Sequence, residues 1–200
     1  YYKTHTARIR LRQNNYTNKK KTLGGIDIVR YPRNVLDSMS RHFQIDYEKA
    51  LDVMQDQNNF TYDFKKKNDY SDYQFISSWE KNYQSWKNNN LIPVKFLKYE
   101  DLLKETFLVF KEIIKFINEI SNNKEGFSRE KAKNAVSSTS FENLKKIEEN
   151  QGFNEGIVAR ENKKKIPFFN LGPKNEWKKN FDSKFIDKLN NIFETRKRSI

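Results

Sequence analysis

The stretch GGIDIVRYPRNVLDSMSRHF, Gly24 to Phe43, sets strand, arginine and helix in succession. A glycine pair leads into Ile26 to Val29, a compact apolar run that reads as a strand. Arg30 closes the run, and Pro32 blocks a helix from extending backwards. From Asn34 to about Tyr47, Val35, Met39 and His42 or Phe43 recur at helical spacing. In an open α/β sheet ligands gather beyond the carboxyl ends of strands, which is where Arg30 falls. A guanidinium is a planar fork matched to phosphate-like oxygens. Ser38, eight positions on (38 − 30 = 8), could complete an anion's shell together with helix-terminal amides. On spacing alone a structural reading stands beside this one: Asp27 or Asp37 pairs with the arginine, and Ser38 faces solvent.

Outward from this unit the pattern repeats. Tyr1 to Lys3 could end a strand, and Arg8 to Leu23, rich in Lys and Asn, reads as a loop. A helix is expected near Tyr47 to Asp56, with a polar loop after it toward Tyr73. Trp79, Tyr83 and Trp86, spaced by 4 and 3 within Phe75 to Asn88, share one helical face and read as core. LIPVKFLKYEDL, Leu91 to Leu102, is a second strand, parallel to the first, running into a helix. That helix carries Leu103, Phe107, Phe110, Ile114 and Ile117 at steps of 4, 3, 4 and 3. Helices at about Ser128 to Ser137 and Phe141 to Glu149 each have a serine, Ser128 or Ser140, placed to cap them. An Asn/Lys-rich loop leads to Trp177. The last helix, Ser183 to Lys197, is apolar at Phe185, Ile186, Leu189, Ile192 and Phe193. Strands alternating with amphipathic helices imply an α/β fold around a parallel sheet, in a single domain over residues 1–200. Only two or three strands are visible, which fits an expectation that the N-terminal part of the domain is missing.

Composition narrows the chemistry. The 200 residues are 36% hydrophobic and 14% aromatic, so Phe and Tyr must carry much of the core. The formal charge is +13, which favours anionic partners without naming one, because lysine runs such as Asn18 to Lys21 also suit solvated loops. There is no cysteine, which removes disulfides and thiol nucleophiles. His5 and His42 are too few for a multi-histidine centre, and no metal is expected. No apolar run approaches the ~18 residues of a membrane span.

Five segments together resemble the cytosolic-type sulfotransferases, and the bacterial members in particular. IDIVRYPRNVLDSMSRHF resembles that family's 3'-phosphate motif, R-x-P-x-x-x-x-x-S between strand and helix. YYKTHTA resembles its Lys-Thr-His segment, VKFLKYEDLL the strand that places a tyrosine near the adenine, SSTSFENLKK its Thr-Ser-Phe segment, and GPKNEWKKNF its C-terminal loop. The order matches across essentially the whole chain. The resemblance implies a P-loop-nucleotide-hydrolase-like three-layer fold with a central parallel sheet. It also implies transfer of a sulfuryl group from 3'-phosphoadenosine 5'-phosphosulfate to a hydroxyl or amine, on a small-molecule or glycan acceptor, in the cytoplasm. His5 would be the general base and Lys3 would stabilise charge on the sulfuryl oxygens. Arg30 and Ser38 would hold the 3'-phosphate, Tyr99, Thr139 and Phe141 the adenine, and Gly172 and Lys174 the closing loop. His42 and the Leu103 to Ile117 stripe read as structural.

Two departures from the family pattern stand out. Counted back from Trp177, the loop's Arg-Lys-Gly falls on Asn170, Leu171 and Gly172, so both cations are lost. Lys174 could substitute as a point charge, and Asn175 replaces the second glycine. The 5'-phosphosulfate loop expected ahead of YYKTHTA has no counterpart, since none of the six glycines belongs to such a loop. A catalytically inactive fragment or binding protein is therefore the alternative. A P-loop kinase relative lacks its Walker loop and acidic metal ligands. A nucleic-acid-binding module lacks any recognition signature, and no nucleic-acid partner is expected.

Overall fold

Ile26 and Ile28 do sit in a strand, and it pairs in parallel with the second strand expected from the sequence. The computed structural model describes residues 1–62, 73–124, 126–153, 156–159 and 162–194. In chain order, a two-residue hairpin, β1 (Arg10–Leu11) and β2 (Asn14–Asn15), precedes β3 (Gly25–Val29), α1 (Pro32–Phe43) and α2 (Tyr47–Gln55). A second hairpin, β4 (Phe60–Tyr62) and β5 (Tyr73–Phe75), leads to α3 (Trp79–Lys87), β6 (Val94–Lys98), α4 (Tyr99–Lys104) and α5 (Thr106–Ser121). The chain continues through α6 (Arg129–Ser138), α7 (Phe141–Gln151), a third hairpin of β7 (Ile157–Val158) and β8 (Lys165–Ile166), two 3-10 turns and α8 (Ser183–Glu194). The residues group into two compact units, Tyr1–Val29 with Leu51–Ala132 and Arg30–Ala50 with Lys133–Ile200.

In the first unit β3 and β6 pair in parallel from Gly25 opposite Val94 to Val29 opposite Lys98. Paired residues share a face, so Asp27 and Phe96 point one way, Ile26 and Lys95 the other. Phe96 meets Tyr83 of α3 edge-on at 5.6 Å between ring centroids. On the other face Lys95 reaches Glu112 of α5 at 3.7 Å. Helices thus flank the pair on both sides, as a parallel pair requires. The Ile26–Ile28 side of β3 is left partly open, Ile28 being 54% exposed. Burial pushes the Asp27 carboxyl above its ordinary range. Leu51, Met54, Tyr83, Ile92 and Leu97 supply the unit's buried apolar residues. The Trp79, Tyr83 and Trp86 face of α3 does turn inward, and Trp79 stacks on Tyr83 at 6.3 Å.

In the second unit Phe185, Leu189 and Phe193, one turn apart on α8, are buried with Phe181 and Leu36. Tyr47 opens α2 by packing on Phe181 and Phe185, at 4.7 and 6.0 Å.

Several sequence expectations need correction. Tyr1 to Lys3 form no strand; the segment up to Ile9 is held by hydrogen bonds to other elements instead. Helix α1 begins at Pro32 rather than Asn34, because a proline at the first helical position loses no bond. It stops at Phe43, short of Tyr47, because Gln44 turns left-handed at φ 54° and its N–H closes on Arg41 and Ser40 carbonyls. The helix after β6 is divided at Glu105 (φ −135°), and Leu103 ahead of that break is 42% exposed rather than packed. The two loops read as irregular contain the short hairpins, β1 with β2 and β7 with β8. The serine caps form as expected, Ser128 accepting from the Lys131 N–H and Ser140 from that of Asn143. The polar loop after α2 lies in part, and residues 195–197 of the last helix wholly, outside the described residues.

Candidate functional site

Arg30 follows β3 directly in the chain, and Tyr31 alone separates it from α1. In the second unit, the segment between Asn170 and Asn180 lies along α1 and is tied to it at four levels. Arg30 Nη2 donates to the Gly172 carbonyl at 3.4 Å. Asn175 Nδ2 donates to Ser38 Oγ at 3.4 Å. The Arg33 guanidinium lies over the Trp177 ring at 5.0 Å while its Nη2 donates to Asn190 Oδ1 at 2.7 Å. Asn180 Nδ2 donates to Asp37 Oδ1 at 3.2 Å.

Asp37 is the fixed point of this arrangement. Its side chain is fully buried on α1, a costly place for a charge unless it is paired. Arg41, one turn on, approaches both its oxygens at 3.2 and 3.1 Å, and the Tyr47 hydroxyl donates at 3.2 Å. Burial first, and the Asp37 carboxylate second, push the Tyr47 hydroxyl up. Asp37 is one of the two carboxylates that the structural reading offers to Arg30, and Arg41 pairs with it.

The bonds at Gly172 and Asn175, both 3.4 Å, are the longest hydrogen bonds among the four ties, and they engage Arg30 and Ser38. Gly172 has φ +49°, and a Cβ placed on it would stand 2.1 Å from Cε2 of Phe141. The ring of Phe141 therefore rests on the glycine, with Phe169 edge-on at 6.0 Å. Gly172→Ala is expected to destabilise the fold by about 1–3 kcal/mol through overlap and the left-handed backbone. Urea denaturation should show this, and part of the loss should return when Phe141 is also shortened to Leu.

The structure brings Arg30, Ser38, Gly172 and Phe141 together. Thr139 lies exposed just ahead of Phe141, its hydroxyl donating to the Ala135 carbonyl at 2.7 Å. Lys174 is exposed at the end of the Gly172–Lys174 turn, and Asn170 is exposed ahead of it. Asn175 does not use a positive φ as its alignment with a glycine suggests; it is extended at φ −71°. Tyr99, in the first unit, is the half-buried first residue of α4. His42 packs edge-on against Phe43 and Phe168, in keeping with a structural role.

In the first unit Lys3 and His5 are exposed, but the backbone around His5 is clamped. Its N–H donates to Gln74 Oε1 at 2.7 Å and its carbonyl accepts from Asn82 Nδ2 at 2.9 Å. The next carbonyl, of Thr6, accepts from Trp86 Nε1 at 3.1 Å, and the Ala7 N–H reaches the Phe75 carbonyl at 2.8 Å. Ser85 Oγ accepts from the Arg8 N–H at 2.8 Å. Asn82, Ser85 and Trp86 lie on one side of α3, so a helix face fixes the main chain and leaves the His5 side chain at the surface. Gln74, Asn82 and Asn180 escape the sequence reading. Asp37 enters it only as a candidate partner of Arg30, although Arg33 and Arg41 flank it at four residues on either side. Among the described residues no group of three or more His, Asp or Glu side chains could hold a metal ion. No helix there is long and apolar enough to cross a membrane.

A family profile described as a sulfotransferase domain matches residues 1–199. No curated protein matches the sequence significantly. Among solved structures the chain is similar to a mouse sulfotransferase, SULT7A1, complexed with PAP, with a TM-score of 0.56 and 17% sequence identity. The match covers 88% of this chain and 58% of the mouse chain, so the fold is shared and the chain spans little more than half the length of that relative.

Proposed function

The chain belongs to the sulfotransferase domain family, and on that premise we propose that it moves a sulfuryl group from 3'-phosphoadenosine 5'-phosphosulfate to a hydroxyl or amine. The observation that carries this reading is the linking of Arg30 and Ser38 to the Gly172–Asn175 segment, and of Gly172 to Phe141, within one unit, the first two lying more than a hundred positions from the others. An arginine fork just ahead of a helix start suits a phosphate monoester, with the Ser38 hydroxyl farther along α1 as a second donor, and the ring resting on a glycine suits a purine neighbour. Thr139 and Phe141 carry over as adenine contacts, as does Tyr99, and Lys174 as a point charge on the closing loop.

In the reaction the acceptor oxygen or nitrogen bonds to sulfur while the bond from sulfur to the 5'-phosphate oxygen breaks. The acceptor's proton passes to neutral His5, and 3'-phosphoadenosine 5'-phosphate leaves with the bond's electron pair. Lys3 offsets charge on the sulfuryl oxygens. Clamping the main chain at His5 keeps the base in one place. The acceptor is a small molecule or a glycan, and the domain works in the cytoplasm.

Calorimetric titration tests the donor assignment. The chain is expected to bind 3'-phosphoadenosine 5'-phosphate at least tenfold more tightly than 5'-AMP, the scale of one charge-assisted contact. Equal affinities for the two would remove the 3'-phosphate site from Arg30.

A further inference from the structure

The side-chain oxygen of Asn175 is buried and has no hydrogen-bond partner, although the same amide's nitrogen reaches Ser38 Oγ at 3.4 Å. One turn ahead of Ser38 on α1, the oxygen of Asn34 is likewise buried and unmatched. Two unmet acceptors beside a serine are costly, because each has lost water and gained nothing. Such a place calls for a donor. A phosphate dianion cannot supply it, since all its oxygens accept.

Resting on the nucleotide reading above, we propose that Asn175 is a specificity-determining residue whose amide oxygen accepts the 2'-hydroxyl of the donor's ribose. The 2'-carbon adjoins the carbon bearing the 3'-phosphate, so a phosphate held by Arg30 and Ser38 brings one O–H donor beside it. Ser38 Oγ, already accepting from Asn175, keeps its own proton for the phosphate. A single asparagine thereby orients the serine and reads the neighbouring hydroxyl. The 3.4 Å tie at Gly172 is the one that yields as the nucleotide enters, while the Asn175–Ser38 bond stays and Asp37–Asn180 and Arg33–Trp177 hold the loop in register. The glycine that the sulfotransferase pattern carries at this position has no side chain with which to do either.

The test is a titration of the full chain with 3'-phosphoadenosine 5'-phosphate and with its 2'-deoxy analogue, repeated on Asn175→Ala. The parent is expected to prefer the ribonucleotide about fivefold to tenfold, the scale of one hydrogen bond to an otherwise unmet acceptor. Asn175→Ala is expected to bind the two alike, near the parent's affinity for the deoxy compound. A parent that binds both equally, or a folded Asn175→Ala that keeps the parent's preference, overturns the proposal and leaves the nucleotide reading standing. A parent that binds neither compound overturns both.

Discussion

Replacing His5 by alanine is expected to lower turnover by roughly 10²- to 10⁴-fold, the usual contribution of a positioned general base. Affinity for 3'-phosphoadenosine 5'-phosphate should stay within about twofold of the parent's, the scale of a contact not made. The separation follows from how the segment is held. The bonds to Gln74, Asn82, Trp86 and Ser85 all engage main-chain atoms of residues 5, 6 and 8, so removing the imidazole leaves them in place. The check is transfer of labelled sulfuryl groups to phenols, alcohols and amines, with the rate followed across pH. An imidazole base imposes a fall in rate on the acid side, and the variant should lose that limb along with its rate. A variant that keeps the parent's turnover sinks the assignment of His5. One that loses nucleotide binding as well shows that the imidazole does more than accept a proton.

What the sequence made legible is the part written in periodic apolar residues and backbone punctuation. Ile26 to Val29, Pro32 and the start of the helix beyond could be placed to within two residues because a glycine pair, a β-branched run and a proline act locally, whereas the helix end, expected near Tyr47, falls at Phe43. The parallel partner could be read because VKFL is apolar and runs straight into a helix. The hairpins of β1 with β2 and of β7 with β8 could not, since strands of two residues have no periodicity to detect. The clamp on His5 is polar and reaches across 69 to 80 residues, and asparagine or glutamine in a sequence says nothing of such partners. The candidate anion site lies between these cases. Arg30, Ser38, Gly172 and Phe141 were found by resemblance in motif order, and their meeting is a matter of tertiary structure. Asn175 stands out in the sequence only as a departure from a glycine, and its extended backbone has no need of the glycine's conformational freedom.

Arg30→Ala is expected to weaken binding of 3'-phosphoadenosine 5'-phosphate by about 1.5–3 kcal/mol, or roughly 10- to 150-fold. The upper part of that range suits this chain because Asn170 and Leu171 stand where the family pattern has two cations, so a larger share of the 3'-phosphate's charge falls to one guanidinium. Two controls separate recognition from damage. Binding of 5'-AMP, which lacks the 3'-phosphate, should be unchanged, so the preference for the bisphosphate collapses rather than both affinities falling together. Arg30→Lys should recover the salt-sensitive part of the loss but not the rest, since an ammonium supplies charge without the planar fork. Folding should survive, because α1 is held to the loop independently through Asp37 with Asn180 and Arg33 with Trp177. If Arg30→Ala binds the bisphosphate as tightly as the parent, the arginine after β3 serves the Gly172 carbonyl and the architecture alone. The anion, if there is one, must then be held elsewhere.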